Sequence, residues 1–357
     1  MTFRRPAGWC LLAAIMASCA VPPPVPAPSF APPPSPLLPA VVTRSATNLT
    51  LHFIDTGQGN CFLVECPGGG VVLDDCGSLK LSTSPLKIHL YLNQIIHQYT
   101  DLAPVMSRPL AVIATHPDRD HFDLIASRRY QIDPEFVSRV IVAETLDDYR
   151  EDFRSWANRT PGTDVFPPNA HGPLPALQCG LAQVELLTVN AAEAPGQAPP
   201  ASRNNADSVV IAIRYGSFLA ILPGDAEGET QEAVLRNYNG LHPTLLAASH
   251  HGADSAGSND LAWARATQPG IVIFSAALDN SFGHPRSASV ANYLAQPSLL
   301  ASHPHQIGFY DDDRTGPTVK TVSRAIYTTG FAGTIDVLVN ALGGVRVSCA
   351  KEAAGGC

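Results

Sequence analysis

The sequence predicts a mixed α/β (α+β) fold in which two β-sheets are covered by helices. Apolar runs typical of strands alternate with helical stretches along the chain. Histidines and acidic residues repeatedly follow these runs, at the points where strands would end. Such an order is typical of a site built from loops at strand tips, on a rigid scaffold.

Composition excludes some classes of protein. The chain has 357 residues, of which 45% are hydrophobic, so wholesale disorder is excluded. Its formal net charge is −8, so there is no basic excess. Tight duplex nucleic-acid binding, which depends on neutralising phosphates with Lys and Arg, is therefore not expected.

The first residues predict export. Arg4 and Arg5 precede an apolar run at 7–17 that is too short to span a bilayer. The segment 1–18 resembles a bacterial lipoprotein signal in which Cys19 is lipidated, although Met16 stands where Leu is preferred. A plain secretory signal is the alternative. We expect an exported protein that is lipid-anchored in the bacterial cell envelope, facing the periplasm or on the outer membrane.

Three segments follow the signal. Residues 19–45 are rich in proline and predict an extended tether, or less simply a ligand for a proline-binding module. Residues 46–345 are expected to form one folded domain, and 346–357 a C-terminal tail. Removal of both arginines of the signal would change the net charge to −10.

Each apolar run is short and bounded by turn residues, as in strands. A helix is predicted over 85–102, where apolar residues recur at helical spacing, and further helices over 227–237 and 260–268. The stretch 150–178 is rich in Pro, Asn and Gly and is predicted to be a surface insertion. The predicted strands are LTLHFIDTG, CFLVEC, VVLDDC, PLAVIATH, VIVAE, VELLTV, SVVIAIRYG, FLAILPGD, LLAASHHG and GIVIFSA.

Cysteine spacing indicates disulfides. The PGGG turn between CFLVEC and VVLDDC predicts a hairpin that places Cys61 opposite Cys76, so we predict this pair as a disulfide. The spacing also lets Cys349 close a small loop with Cys357. No pair has the CxxC spacing of a structural zinc site.

The strongest chemical signal is THPDRDHF, residues 115–122. His116, Asp118, Asp120 and His121 are crowded directly after an apolar strand. One such histidine would more often be a hydrogen-bonded structural residue. Four imidazole and carboxylate groups together favour a divalent metal site.

Three later motifs also end apolar runs. In LPGDAE, Asp225 could bridge two metal ions or cap the following helix. In ASHHGADS, His250 and His251 are adjacent, so on a strand at most one would be a ligand. In FGHPRS, His284 could polarise or protonate a substrate oxygen.

The order DTGQGN, LDDCG, THPDRDH, NNADSVVIAIRYG, LPGDAE, SHHGADS, GHP and GTIDV resembles the metallo-β-lactamase superfamily. The greatest likeness is to the hydrolase domain of bacterial competence DNA-uptake channel proteins. This resemblance implies an αββα metallo-β-lactamase-type sandwich with one or two divalent metal ions, zinc or manganese. It implies metal ligation by His116, Asp118, Asp120, His121, Asp225 and His250, catalysis by Asp120 and His284, and support from Asp75, Asn205, Ser208 and His251.

Two departures from the superfamily pattern bear on the metal. Asp118 stands where the second histidine of the metal loop is usual, and no histidine occurs near Asn205. The site therefore gains oxygen donors, which favour manganese or magnesium over zinc. A single-metal or weakened site is the alternative.

The resemblance implies a hydrolase that attacks a small phosphodiester, a nucleotide or short oligonucleotide, through a metal-bound hydroxide. Asp120 would orient the hydroxide, and His284 would stabilise the leaving group. Two other functions stay open. One is a catalytically degenerate binding or assembly protein tethered to the envelope, and the other is a β-lactam or ester hydrolase.

Overall fold

A computed structural model describes residues 47–100, 108–143, 145–174, 177, 179–191, 205–312, 316–351 and 357. The predicted signal, Cys19 and the tether lie outside these residues. Within them, every helix is too short or too polar to cross a bilayer.

The strands form two large sheets and two small ribbons. The first sheet has the order β19-β18-β1-β3-β4-β6-β7-β8, and the second has β17-β14-β13-β12-β11-β10-β9. The ribbons are β2-β5 and β15-β16. The strands are β1 Leu49–Phe53, β2 Gly57–Gln58, β3 Cys61–Glu65, β4 Val71–Cys76, β5 Lys80–Leu81, β6 Leu110–Ala114, β7 Val137–Val142, β8 Thr163–Val165, β9 Gly172–Pro173, β10 Gln183–Thr188, β11 Val210–Tyr215, β12 Phe218–Leu222, β13 Leu245–Ala247, β14 Ile271–Phe274, β15 Ala301–Tyr310, β16 Pro317–Arg324, β17 Ile326–Thr328, β18 Ile335–Val339 and β19 Val345–Cys349.

Helices cover the outer face of each sheet. The helices are α1 Pro85–Thr100, α2 Arg119–Phe122, α3 Glu151–Ala157, α4 Gly228–Asn237, α5 Leu261–Thr267, α6 Ser287–Leu294 and α7 Thr329–Ala332. The predicted helices over 85–102, 227–237 and 260–268 are confirmed by α1, α4 and α5. Asp260 begins α5 as its N-cap, because its carboxylate accepts a hydrogen bond from the Trp263 amide.

Three apolar cores define the layers. The central core lies between the sheets and joins Phe62 and Ile113 of the first sheet to Ile211 and Ile273 of the second. A second core packs α1 and α3 on the first sheet, and a third packs α4, α5 and α6 on the second. The layer order is therefore α, β, β, α, as the sequence predicts.

Parallel pairing determines where the loops meet. β4 pairs with β6 in parallel, and β12, β13 and β14 form a parallel run in the second sheet. The carboxyl ends of parallel neighbours lie at the same edge of a sheet. The chemical motifs that follow these strands are thereby collected at two adjoining edges.

The prediction for 150–178 is wrong in part. This stretch contains α3, whose Phe153 and Trp156 are buried, and β8, which extends the first sheet beside β7. The Pro, Asn and Gly residues of this stretch separate short elements. The seven-residue helix α3 is anchored by two buried aromatic side chains. β19 likewise pairs with β18, so residues 346–349 of the expected tail form a sheet edge.

The residues that the structure describes form three disulfides. Cys61–Cys76 crosses the β3–β4 hairpin, and Cys349–Cys357 closes the small loop, so the predicted pairings are confirmed. Cys66–Cys179 was not predicted, because 113 residues separate its cysteines. It joins the end of β3 in the first sheet to the residues before β10 in the second.

A buried polar cluster lies between the first sheet and α1. The His52 imidazole contacts Asp336 Oδ1 at 2.8 Å and Glu65 Oε1 at 2.9 Å. The Tyr91 hydroxyl lies 3.0 Å from His52, and Tyr99 donates to Glu65. Burial would lower the pKa of His52, but Asp336 and Glu65 outweigh burial and raise it from 6.5 to about 9.

The cluster predicts a pH-dependent stability. Because folding raises the pKa of His52, its protonated imidazole stabilises the fold fully at pH values below 6.5, the pKa in the unfolded chain. This stabilisation is lost as the pH rises through about 9, the pKa in the folded protein. Relative to His52→Gln, we expect the wild-type free energy of unfolding to fall by up to about 3 kcal/mol across this range. Urea denaturation at a series of pH values measures it, and parallel pH profiles for the two proteins would contradict it.

The disulfide between the sheets predicts a large contribution to stability. Replacing Cys66 and Cys179 by alanine frees a loop of 113 residues, against 8 for Cys349 and Cys357. Because loop entropy grows with loop length, the first double variant should lose roughly 2–5 kcal/mol and the second clearly less. Denaturant unfolding of both variants provides the comparison. Equal losses, or free thiols at Cys66 and Cys179 in the wild type, would refute it.

Candidate metal centre

The site lies where strand tips of both sheets meet. Asp75 ends β4, and Thr115 and His116 follow β6. Asp225 follows β12, and the two histidines of SHHG follow β13. Groups from four strands thus converge, which agrees with the loop-built site that the sequence predicts.

Asp75 organises the first-sheet side. Its carboxylate accepts hydrogen bonds from the Thr115 amide and hydroxyl, each at 2.8 Å, and contacts His121 Nδ1 at 2.6 Å. His121 is fully buried, so this contact turns its Nε2 away from Asp75 and toward the second sheet. These are the contacts of a supporting residue that orients a ligand.

A second hydrogen bond orients His116. Thr115 Oγ1, which already donates to Asp75, lies 3.1 Å from His116 Nδ1 and can accept its proton. His116 Nε2 is then left for another partner. Thr115 belongs to the THPDRDHF motif, but its role follows only from the contacts.

A close backbone approach supports the metal loop. A Cβ at Gly77, the glycine of LDDCG, would collide with the backbone of Asp120 and His121. The Asn60 amide donates to the Asp120 carbonyl at 3.0 Å. The DTGQGN and LDDCG motifs therefore pack against the backbone of the loop of residues 118–121 and fix its position.

The second sheet contributes His251. Its Nδ1 lies 2.9 Å from the Ser275 carbonyl oxygen, which assigns the proton to Nδ1. Its Nε2 lies 3.3 Å from Asp120 Oδ2 and 3.6 Å from Asp225 Oδ2. His251 is buried, so the contact with Ser275 holds its ring toward the acidic groups.

Two donor groups share His121. His116, His121 and Asp225 form one group, and Asp120, His121 and His251 form the other, with ligand atoms in each group within 4.8 Å of one another. Asp225 stands between histidines, because Oδ1 lies 3.2 Å from His121 and Oδ2 lies 3.6 Å from His251. This position suits a bridging carboxylate.

The donor atoms fit a cation. His116 Nε2, His121 Nε2, His251 Nε2 and Asp225 Oδ1 are buried and make no hydrogen bond with any residue that the structure describes. Leaving buried polar atoms without hydrogen bonds is costly. Imidazole nitrogens and carboxylate oxygens pointing at one space are the ligands of zinc and manganese, so these residues can hold a divalent ion.

Charge is concentrated in this space. Burial would raise the pKa of Asp225, but His121, His251 and His250 hold it well below its usual range. Burial would likewise raise the pKa of Asp120, but His251 and His121 outweigh burial and lower it. Both carboxylates are therefore ionised and can accept a cation or a proton.

Two predicted ligands lie outside the donor groups. Asp118 contacts His116 Nε2 only at 3.6 Å, and 62% of its side chain is exposed. His250 Nε2 lies 3.7 Å from Asp225 Oδ2, while His251, expected only in support, lies within a group. Strand alternation does not decide between the two histidines, because β13 ends at Ala247. Both histidines lie in a turn with positive φ.

The other predicted residues surround these groups. Ser208 Oγ accepts a hydrogen bond from the Asp225 amide at 3.2 Å. The Asn205 amide nitrogen lies 3.3 Å from the His250 ring. The His284 ring lies 5.6 Å from that of His250, so it borders the centre without entering it.

Comparisons with known proteins find similar architectures only. No protein-family model and no curated protein matches the chain. The fold is similar to the metallo-β-lactamase fold protein YhfI from Bacillus subtilis, with 16% identity, a TM-score of 0.39, and coverage of 68% of this chain and 93% of YhfI. It is similar to CmlA, a diiron β-hydroxylase from Streptomyces venezuelae, with 15% identity, a TM-score of 0.40 and coverage of 77% of this chain; the chain spans 54% of CmlA. Human tRNase Z, short form, shows 13% identity, a TM-score of 0.34, and coverage of 63% and 91%.

The geometry predicts which histidine of the SHHG motif binds metal. Loss of a residue that only hydrogen-bonds to a metal ligand weakens metal binding by roughly 10–100-fold. His251→Ala removes a buried donor itself, so we expect it to weaken Mn²⁺ binding by more than this. His250→Ala should weaken binding clearly less. Calorimetric titration of metal-free protein measures both. Loss of binding in His250→Ala with retention in His251→Ala would reverse the assignment.

Proposed function

We propose that this protein is an exported, metal-dependent hydrolase of the metallo-β-lactamase superfamily and that its substrate is a small phosphodiester. The observation that carries this proposal is the pair of donor groups around Asp225. Five side chains from THPDRDH, LPGDAE and SHHG point buried ligand atoms at one space. They are His116, Asp120, His121, Asp225 and His251.

These residues would hold one or two divalent ions, zinc or manganese. His116 and Asp225 form one donor group with His121, and Asp120 and His251 form the other with the same histidine. Such an ion, when bound, makes water more acidic and polarises a phosphoryl oxygen. The mixture of nitrogen and carboxylate donors suits both metals.

Asp120 is the proton acceptor in this proposal. Its carboxylate is ionised, lies at the edge of the centre and is 8% exposed, so it meets both buried donors and incoming water. Its Oδ2 lies 3.3 Å from His251 Nε2, so the carboxylate and the imidazole face the same space. Asp120 can therefore orient a water molecule and take its proton.

His284 serves the leaving group. Asn280 fixes its backbone, because the Asn280 side chain accepts from the His284 amide and donates to its carbonyl. The ring is thereby held beside His250 at the border of the centre. From there it can donate a proton to a departing oxygen, while the centre holds the phosphoryl group.

The substrate is proposed to be a nucleotide or short oligonucleotide. The competence-type motifs support a phosphodiester, and a net charge of −8 argues against tracking along duplex DNA. A short substrate needs few phosphate contacts, so its binding does not require a basic groove.

The proposed location is the bacterial cell envelope, with a lipid anchor at Cys19. Three disulfides among the described residues support it, since such bonds persist in oxidising compartments. Membrane attachment through the anchor is the proposed partnership, and the proline-rich tether would separate the domain from the bilayer.

Hydrolysis of bis(p-nitrophenyl) phosphate with Mn²⁺ or Zn²⁺ tests the activity. We expect Asp120→Ala to lower kcat by roughly 10²–10⁴-fold, because a positioned proton acceptor is lost. His116→Ala should also lose activity, through the metal. Glu232→Ala, which removes an acid with a 77% exposed side chain on α4, is the matched control.

Unchanged activity in Asp120→Ala and His116→Ala would reject this site. Stoichiometric metal without hydrolysis of any phosphodiester would favour the envelope-tethered binding protein instead. The exposure of Asp118, at a position where the superfamily has a ligand, is the feature that favours this second function.

A further inference from the structure

Apolar side chains are exposed beside the metal centre. Leu79 and Leu81 lie on or next to the β2–β5 ribbon, with 46% exposure each. Leu278 and Phe282, with 37% and 42% exposure, lie in the loop of residues 277–284. We call these four residues the apolar rim.

The two parts of the rim are neighbours. Lys80 Nζ lies 2.7 Å from Asp279 Oδ2, and this ion pair joins the ribbon to the loop. Exposed ion pairs contribute little stability, so the pair is informative mainly as evidence of proximity.

The rim is continuous with the metal centre. The Phe282 ring lies 6.0 Å from the His284 ring at an interplanar angle of 30°. The His284 ring lies 6.4 Å from that of the donor His251. His284 therefore neighbours both the donor His251 and Phe282, so a group attached to a phosphate at the centre would lie near Phe282.

The loop that presents Phe282 is held in place. The Asn280 side chain donates to the carbonyls of Ala277 and His284, and the Tyr310 hydroxyl contacts the backbone of Leu278 and Asn280. Asn280 is buried. An exposed aromatic ring on a loop with this many internal hydrogen bonds is a prepared contact surface, since little ordering remains to be done on binding.

We propose that the substrate carries a flat aromatic ring next to the scissile phosphate, and that this ring stacks on Phe282 within the apolar rim. This inference rests on the proposed phosphodiesterase function and assigns recognition of the substrate's ring, a nucleobase or another aryl group, to Phe282. Stacking on an exposed aromatic side chain tolerates any ring with a π-face. Phe282 is thus a specificity-determining residue.

Phosphonates that cannot be hydrolysed test the stacking separately from catalysis. The probes are phenylphosphonate, cyclohexylphosphonate and methylphosphonate, bound to Mn²⁺-loaded protein and measured by calorimetry. We expect phenylphosphonate to bind roughly tenfold more tightly than methylphosphonate, with cyclohexylphosphonate in between. In Phe282→Ala this preference should shrink to about twofold or less, while Phe282→Trp should keep it.

Leu342→Ala is the matched control, because it truncates an apolar side chain that is 96% exposed in a turn outside the rim. Equal affinities for all three phosphonates, or an unchanged preference in Phe282→Ala, would overturn the stacking proposal. Cyclohexylphosphonate binding as tightly as phenylphosphonate would overturn the aromatic requirement. Failure of every phosphonate to bind would instead count against the phosphodiesterase function itself.

Discussion

Three buried carboxylates in one small space are the constraint on which this structure depends. Asp75, Asp120 and Asp225 lie at the tips of different strands, all with exposures of 8% or less. Negative charge cannot accumulate in a protein interior without positive charge nearby. Histidines are the only basic side chains that the donor groups contain. A divalent cation would satisfy both the carboxylates and the imidazole nitrogens that make no hydrogen bond.

Strand pairing and the core between the sheets bring these charged groups together. Parallel pairing of β4 with β6, and of β12 with β13 and β14, sends the chemical loops to adjoining edges. The apolar core between the sheets then fixes the distance between those edges. Glycine at position 77 lets the metal loop approach β4 closely. Hydrogen bonds from the imidazoles of His116 and His251 to the Thr115 hydroxyl and the Ser275 carbonyl turn both rings inward.

The proposed chemistry is graded outward from the centre. The donor groups would bind a cation. At the border of the centre, Asp120 would accept a proton and His284 would donate one. Phe282 in the apolar rim would select the group that is attached to the phosphate. The His52 cluster lies on the face of the first sheet that α1 covers, and it contributes to the stability of the fold. The Cys66–Cys179 disulfide joins the two sheets, which suits a domain proposed to work outside the cytoplasm.

Local patterns in the sequence determined ten of the nineteen described strands, helices α1, α4 and α5, the β3–β4 hairpin with its disulfide, and the motifs that reach the centre. Each of these depends on spacing along the chain, as in the placement of Cys61 opposite Cys76. Contacts between distant segments were decided by the tertiary structure alone. The pairing of Cys66 with Cys179, the packing of Phe153 and Trp156, and the part played by Thr115 are of this kind. The choice between His250 and His251 is the sharpest case. Strand alternation could not decide it, because β13 stops at Ala247 and the turn that follows lets the Ser275 carbonyl, 24 residues away, aim His251 at the carboxylates.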